Sequence, residues 1–309
     1  MLGSRDKPPG LGYAFACRMS ESHTQAPAVL RPIALLGAWV IDVGLSAARA
    51  MSWLGRFTRF TGAFILGLRA VRTWNKRDRL WQQVFFVGAA SVPVLALTGA
   101  FIGMILAIEG YLQFASIGQE GRLGGVINVS LVKQIGPVLA AVMLAGRVGC
   151  ALTAELGSMR VTEQLDAMRA MAADPIRVLV VPRVLACILM IPPLTLISNV
   201  CGIGGGWYIT TRFYTADPTQ YWHYTEMFVG WFDILNGLVK AVFFGGAIGL
   251  IACFKGFNCR PGAEGVGRAT TESFVTSFLA IIMINLVLAK VLNDVKLMTQ
   301  GGQVDSVFR

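Results

Sequence analysis

Charge is scarce in this chain of 309 residues: 14% are Asp, Glu, Lys or Arg, against 55% that are hydrophobic. Histidine is nearly missing, with only His23 and His223, and the six cysteines include no C-x-x-C pair. These shortages exclude the usual disulfide framework and a Cys/His metal centre. No G-x-x-x-x-G-K-[ST] occurs, so if ATP drives this protein a different chain must bind it. Nothing resembles a nucleophile beside a base, which disfavours a membrane-embedded enzyme.

The chain does hold apolar runs too long for a water-soluble core, and these mark an integral membrane protein. Residues 84–108 carry no charge for 25 residues, about 37 Å of helix at about 1.5 Å per residue, enough to cross a bilayer even when tilted. Further spans are expected at 126–146, interrupted only by Lys133, at 184–211 with a kink at Pro192-Pro193, at 234–254 and at 273–289. Five spans put the two termini on opposite sides.

The net charge of +10 would suggest nucleic acid in a soluble protein, but here Lys and Arg sort by side. Twelve precede residue 84, five (147, 160, 169, 177, 183) fall between spans two and three, and three (255, 260, 268) follow span four. Arg122, Arg212, Lys296 and Arg309 are the four on the other side. Twenty against four places the N-terminus in the cytoplasm and the C-terminus outside, and makes nucleic acid an unneeded partner. Residues 1–32, rich in proline and polar groups, read as a disordered cytoplasmic tail. In 33–79, Arg49, Arg56 and Arg59 oppose Leu36, Val43, Ala50, Leu54 and Phe57, the pattern of an interfacial elbow helix. Gly62 and Gly67 are expected to bend it before the basic anchor "RTWNKRDR". A true sixth span is the alternative, and it would reverse all later sidedness.

Two polar features interrupt the apolar background. Between spans two and three lie Glu155, Arg160, Glu163, Asp166, Arg169 and Asp174. Thr162 is the expected N-cap of a helix of about ten residues, roughly 15 Å, ended by Asp174-Pro175. Such a helix cannot span. It is either a solvated loop helix or a lever between membrane helices. Lys133 is the second feature, about seven residues and so roughly 10 Å into span two. A charge at that depth costs about 2.5–3.5 kcal/mol, so it should face a cavity or a partner unless it snorkels to the headgroups. Beside it Gln134 belongs to the same candidate substrate path, and Glu109 at the end of span one is the candidate counter-charge. G-x-x-x-G at Gly99/Gly103, Gly202/Gly206 and Gly245/Gly249 permits close helix approach. Tyr208, Tyr214, Trp222, Tyr224 and Trp231 read as an aromatic interface belt.

The stretch "AGRVGCALTAELGSMRVTEQLDAMRAMAADPIRVLVVPRVLA" (145–186) resembles the signature of the MlaE/YrbE family, the permease subunits of ABC transporters that work with MCE-domain proteins on lipids. "GAFIGMILAIEGY" (99–111), "QIGPVLAAVMLAGR" (134–147) and "GVGRATTESFVTSFLA" (265–280) extend the resemblance in order, over about residues 80–292. It implies an all-α integral membrane protein: an interfacial elbow helix, then five transmembrane helices with a cytoplasmic coupling helix between the second and third, and a short periplasmic tail over 293–309. It also implies a homodimer in the bacterial inner membrane, with an ABC ATPase under Glu155, Arg160, Glu163, Asp166 and Arg169. An MCE-domain periplasmic protein, a small STAS-domain subunit and phospholipid are the other implied partners. No cofactor is expected on this chain, since ATP and Mg would sit on the ATPase. Where the family commonly has Arg-Glu-Leu-Gly-Pro this chain has "KQIGP" (133–137), and Glu109 stands where Gln is common, which puts the headgroup contacts in question. The alternative function is an ion-coupled secondary transporter, for which paired ionisable groups at the midplane and internal repeats would be needed.

Overall fold

The computed structural model describes residues 31–68 and 77–299, and all of its regular elements there are helical. The expectations for residues 1–30, for 69–76 of the basic anchor and for 300–309 lie outside the described residues. The chain divides into two units, Met1–Phe60 and Thr61–Arg309, taken here in turn.

In the first unit the described part is one helix, α1, Arg31–Leu68, which runs on into the second unit. Trp53 and Phe57, one turn apart, stack with centroids 5.5 Å apart. Met51 and Leu54 are exposed, and helical rotation sets them opposite the exposed Arg56 and Arg59. The bend expected at Gly62 does not occur, because the helix continues through it to Leu68. One glycine costs about 1 kcal/mol in a helix, and the flanking Ala63, Phe64, Ile65 and Leu66 keep the backbone ladder favourable.

The second unit holds five helical segments long and apolar enough to cross a membrane: Leu80–Ser116, Glu120–Val161, Ile176–Arg212, Trp231–Phe257 and Ala263–Met298. In hydrocarbon a backbone must satisfy its own polar groups, so each apolar run closes into a helix. Every one is longer than the apolar run that announces it.

The first segment comprises α2, Arg77–Val87, a single 3-10 turn at Ala89–Ser91, and α3, Val92–Ser116. It is therefore not the unbroken helix expected, and Pro93 near the start of α3 is the reason: proline suits a first turn and cannot continue a preceding helix. The second segment comprises α4, Leu123–Ser130, α5, Gly136–Leu144, and α6, Cys150–Val161, joined by π turns at Leu131–Ile135 and Ala145–Gly149. Arg147 thus lies inside this helix and not in the loop, and its guanidinium donates to Ser91 Oγ at 2.7 Å. Helix α6 persists beyond the apolar run because Leu152 and Leu156, one turn apart, are both buried.

The insert departs from expectation at both ends. Thr162 closes α6, its hydroxyl donating to the Ser158 carbonyl at 2.9 Å, and Glu163 at φ 58° precedes a seven-residue helix, α7, Gln164–Ala170. Asp174 does not terminate α7. Its Oδ1 accepts from the Ile176 amide at 3.0 Å, and so caps the start of the third segment, whose first turn is the π turn Ile176–Val180. That segment continues as α8, Val181–Arg212, through Pro192 and Pro193.

A further helix, α9, Pro218–Phe228, was not anticipated, although Asp217 accepting from the Thr219 amide and Pro218 at the first position form an ordinary helix start. The last two segments are α10, Trp231–Phe257, and α11, Ala263–Thr299. Residues 293–299 are therefore helix and not tail. Of the five, α10 is the most enclosed and α11 the least.

Small residues set the packing. The most extensive pairing is α3 with α8. A methyl group added at Gly103 would collide with the Gly202 carbonyl, and one added at Gly99 with the Ser198 carbonyl. Backbone therefore meets backbone at this crossing, where dispersion replaces the hydrophobic effect as the source of association in lipid.

Candidate functional site

Lys133 and Gln134 lie on the π turn Leu131–Ile135, and both line an open groove of about 530 Å³. A π turn is wider than an α turn, so consecutive side chains there can both reach one opening. Ser130, Lys240 of α10 and Asn293 of α11 complete the polar lining, with Val129, Ile135 and Ala289 as apolar walls. Lys133 Nζ donates to Asn293 Oδ1 at 3.0 Å.

Lys240 was not anticipated, and it is the better-held lysine, with 1% of its surface exposed. Its ammonium donates to Gln134 Oε1 and, at 3.1 Å, to the Lys133 carbonyl. The second contact follows from the sequence: Pro137 has no N–H to give to the carbonyl four residues back, and Lys240 supplies the missing donor. A lone lysine in "LNGLVKAVFF" gave the same signal that singled out Lys133.

Glu109 is exposed on α3 and is not part of the groove lining. Among the described residues no ion pair joins it to Lys133, and the counter-charge expected there is instead the neutral amide of Asn293. Two turns along α10 from Lys240, buried Asp233 pairs with Lys296 of α11 at 3.6 Å and accepts from the Gly230 amide at 3.3 Å.

The residues expected to form the coupling face sit at the opposite end. Asp166 is held between Arg160 at 2.8 Å and Arg169 at 2.9 Å. Glu155 pairs with Arg183, which is almost wholly buried, so that pair braces α6 against α8 instead of standing free. Leu165 is buried beneath α7, while Met168 is half-buried and Met171 is largely exposed.

On the side of α9, Tyr221 donates to Asn128 Oδ1 at 3.1 Å, Asn128 Nδ2 donates to Thr225 Oγ1 at 2.9 Å, and Thr225 returns a hydrogen bond to the Tyr221 carbonyl at 2.7 Å. Burial pushes the Tyr221 phenol up to about 12, the Asn128 hydrogen bond opposing it. This closed network pins α9 to α4. Tyr111 and Tyr214 stack at 3.9 Å, and Arg122 sits over the Tyr224 ring at 5.9 Å, so part of the aromatic group serves packing.

Five long apolar helical segments, three of which line a groove holding two lysines, define a multi-pass α-helical membrane protein. The family described as Permease MlaE matches residues 80–291. A "Probable ABC transporter permease protein" of Synechocystis is 42% identical over 215 residues, 70% of this chain and 81% of the relative. The "Intermembrane phospholipid transport system permease protein MlaE" of Haemophilus influenzae is 37% identical over 214 residues, 69% of this chain and 82% of that protein. A "Probable ABC transporter permease protein" of Rickettsia bellii is 36% identical over 249 residues, covering 81% and 95%. The chain belongs to the MlaE permease family and is an ABC transporter permease of that type.

Proposed function

We infer that this permease moves glycerophospholipids between the inner and outer membranes of a bacterium. The observation that carries the reading is the open groove holding Lys133 and Lys240 within apolar helices, where a lipid phosphate finds donors while its acyl chains meet Val129, Ile135 and Ala289. The name of the Haemophilus relative supports the same cargo. The chain sits in the inner membrane with the 154–175 insert on the cytoplasmic side, where α7 and its exposed neighbours receive the stroke of a separate ATPase that binds ATP and Mg. The chain pairs with a second copy of itself and passes lipid to an MCE-domain protein on the periplasmic side, and a small STAS-domain subunit joins from the cytoplasm. The helix over residues 33–68 lies in the headgroup plane, in keeping with the Met51/Leu54 and Arg56/Arg59 faces of α1.

The decisive experiment purifies the full chain with its ATPase and measures phospholipid per complex. Lys133→Ala should lower bound phospholipid several-fold with assembly unchanged; equal occupancy would remove the groove from the path. An ion-coupled transporter would instead move lipid without nucleotide.

A further inference from the structure

The groove contains two lysines and no carboxylate. Lys133 is bonded to an amide oxygen, Lys240 to an amide oxygen and a backbone carbonyl, so neither has its charge neutralised within the lining. The nearest buried acid along α10 is Asp233, seven residues from Lys240 and so about 10 Å away along the helix, and it is already committed to Lys296 and the Gly230 amide. Exposed Lys290 and Asp294, the chain neighbours of Ala289 and Asn293 on α11, carry opposite formal charges and are not part of the groove lining. Two ammonium groups with no carboxylate beside them among the described residues of the lining are costly in an apolar setting, and a bound anion would balance them.

Resting on the lipid-transport reading above, we propose that this permease selects lipids of net negative charge, and that the pairing of Lys240 with a neutral Gln134 sets the selection. A phosphodiester alone offers one negative charge to either lysine. A headgroup that adds an ammonium brings a third cation against two that are already unbalanced. One that adds hydroxyls brings none. At an effective dielectric of about 20 the difference corresponds to roughly fivefold or more in occupancy. A carboxylate at position 134 would close an ion pair with Lys240 at the same side-chain volume and remove most of the excess charge.

The test reconstitutes the full chain, with the chains that co-purify, into vesicles of equal phosphatidylglycerol and phosphatidylethanolamine, re-extracts it, and quantifies retained lipid by mass spectrometry. The wild-type protein should retain phosphatidylglycerol about fivefold or more over phosphatidylethanolamine. Gln134→Glu should reduce that bias towards the vesicle ratio, read as the phosphatidylglycerol to phosphatidylethanolamine ratio of the lipid that the variant retains. Glycerol 3-phosphate in large excess should not displace the bound lipid; displacement would show a site for the phosphate group alone and overturn the lipid selection. Wild-type lipid at the vesicle ratio, or a bias unchanged in Gln134→Glu, overturns charge selection and leaves lipid transport standing. No retained lipid in either protein overturns the transport reading as well.

Discussion

At the scale of single residues, the insert stores strain at Glu163. Its φ of 58° is one that a side chain with a Cβ adopts only at a cost, and Glu163 has no side-chain cap bond to α7 in return. Glu163→Gly should therefore stabilise the folded chain by roughly 0.5–1 kcal/mol, read as a raised melting temperature in detergent. Thiol-reactive dye would follow it, since buried Cys187 and Cys253 are released on unfolding. An unchanged or lowered melting temperature would show that Glu163 makes a stabilising contact. If the same carboxylate serves the ATPase, the variant gains stability while losing association. Strain of this kind was not legible in the sequence: Thr162-Glu163 reads equally well as the start of one helix or the end of another, and burial of Leu156 and Leu165 decides. Lys133 was legible because a charge inside an apolar run stands out. Lys240 carries an identical signal within its own apolar run.

At the scale of elements, glycine spacing named three crossings without ranking them. Gly99 and Gly103 meet the Ser198 and Gly202 backbone, Gly245 meets the Cys187 carbonyl, and Gly206 approaches the Tyr221 hydroxyl. A sharp contrast follows on two helices of one contact. Gly103→Ala forces a methyl group into backbone, which cannot yield as a flexible side chain can, and should cost about 2 kcal/mol or more. Gly204→Ala, where nothing lies within 4 Å, should be neutral or stabilising by up to about 1 kcal/mol from helix propensity. Thermal unfolding of both in one detergent checks the pair, and equal effects would place the α3–α8 contact elsewhere. The five apolar runs were readable because lipid permits a spanning backbone little besides helix. Their ends were not, since a helix that leaves the bilayer continues on ordinary propensity and local burial, as α6 does to Val161 and α11 to Thr299.

At the scale of the whole molecule, the alternation of the helices divides the connections into two sets. Residues 117–119 and 213–230 lie at one end of the second unit, and 162–175 and 258–262 at the other. Positive charge follows the second set, with Arg160, Arg169, Arg177, Lys255, Arg260 and Arg268 against Arg122 and Arg212. Lys and Arg resist translocation, so the 162–175 end should face the cytoplasm. A cysteine at Glu163 and one at Gln220 would report the two ends separately. Both positions are exposed, so reactivity measures access and not burial. Cys259 shares the end that carries Glu163 but is half-buried, and burial pushes its thiol up, which slows it; Cys259→Ser removes even that background. A membrane-impermeant maleimide applied to spheroplasts should modify residue 220 at once, and residue 163 only after the membrane is opened. The reverse order would put the Asp166 cluster on the outer face, out of reach of any cytoplasmic ATPase, and the lever reading of α7 would fall with it. The groove and its two lysines would then open towards the cytoplasmic leaflet, and the lipid drawn into it would come from that side.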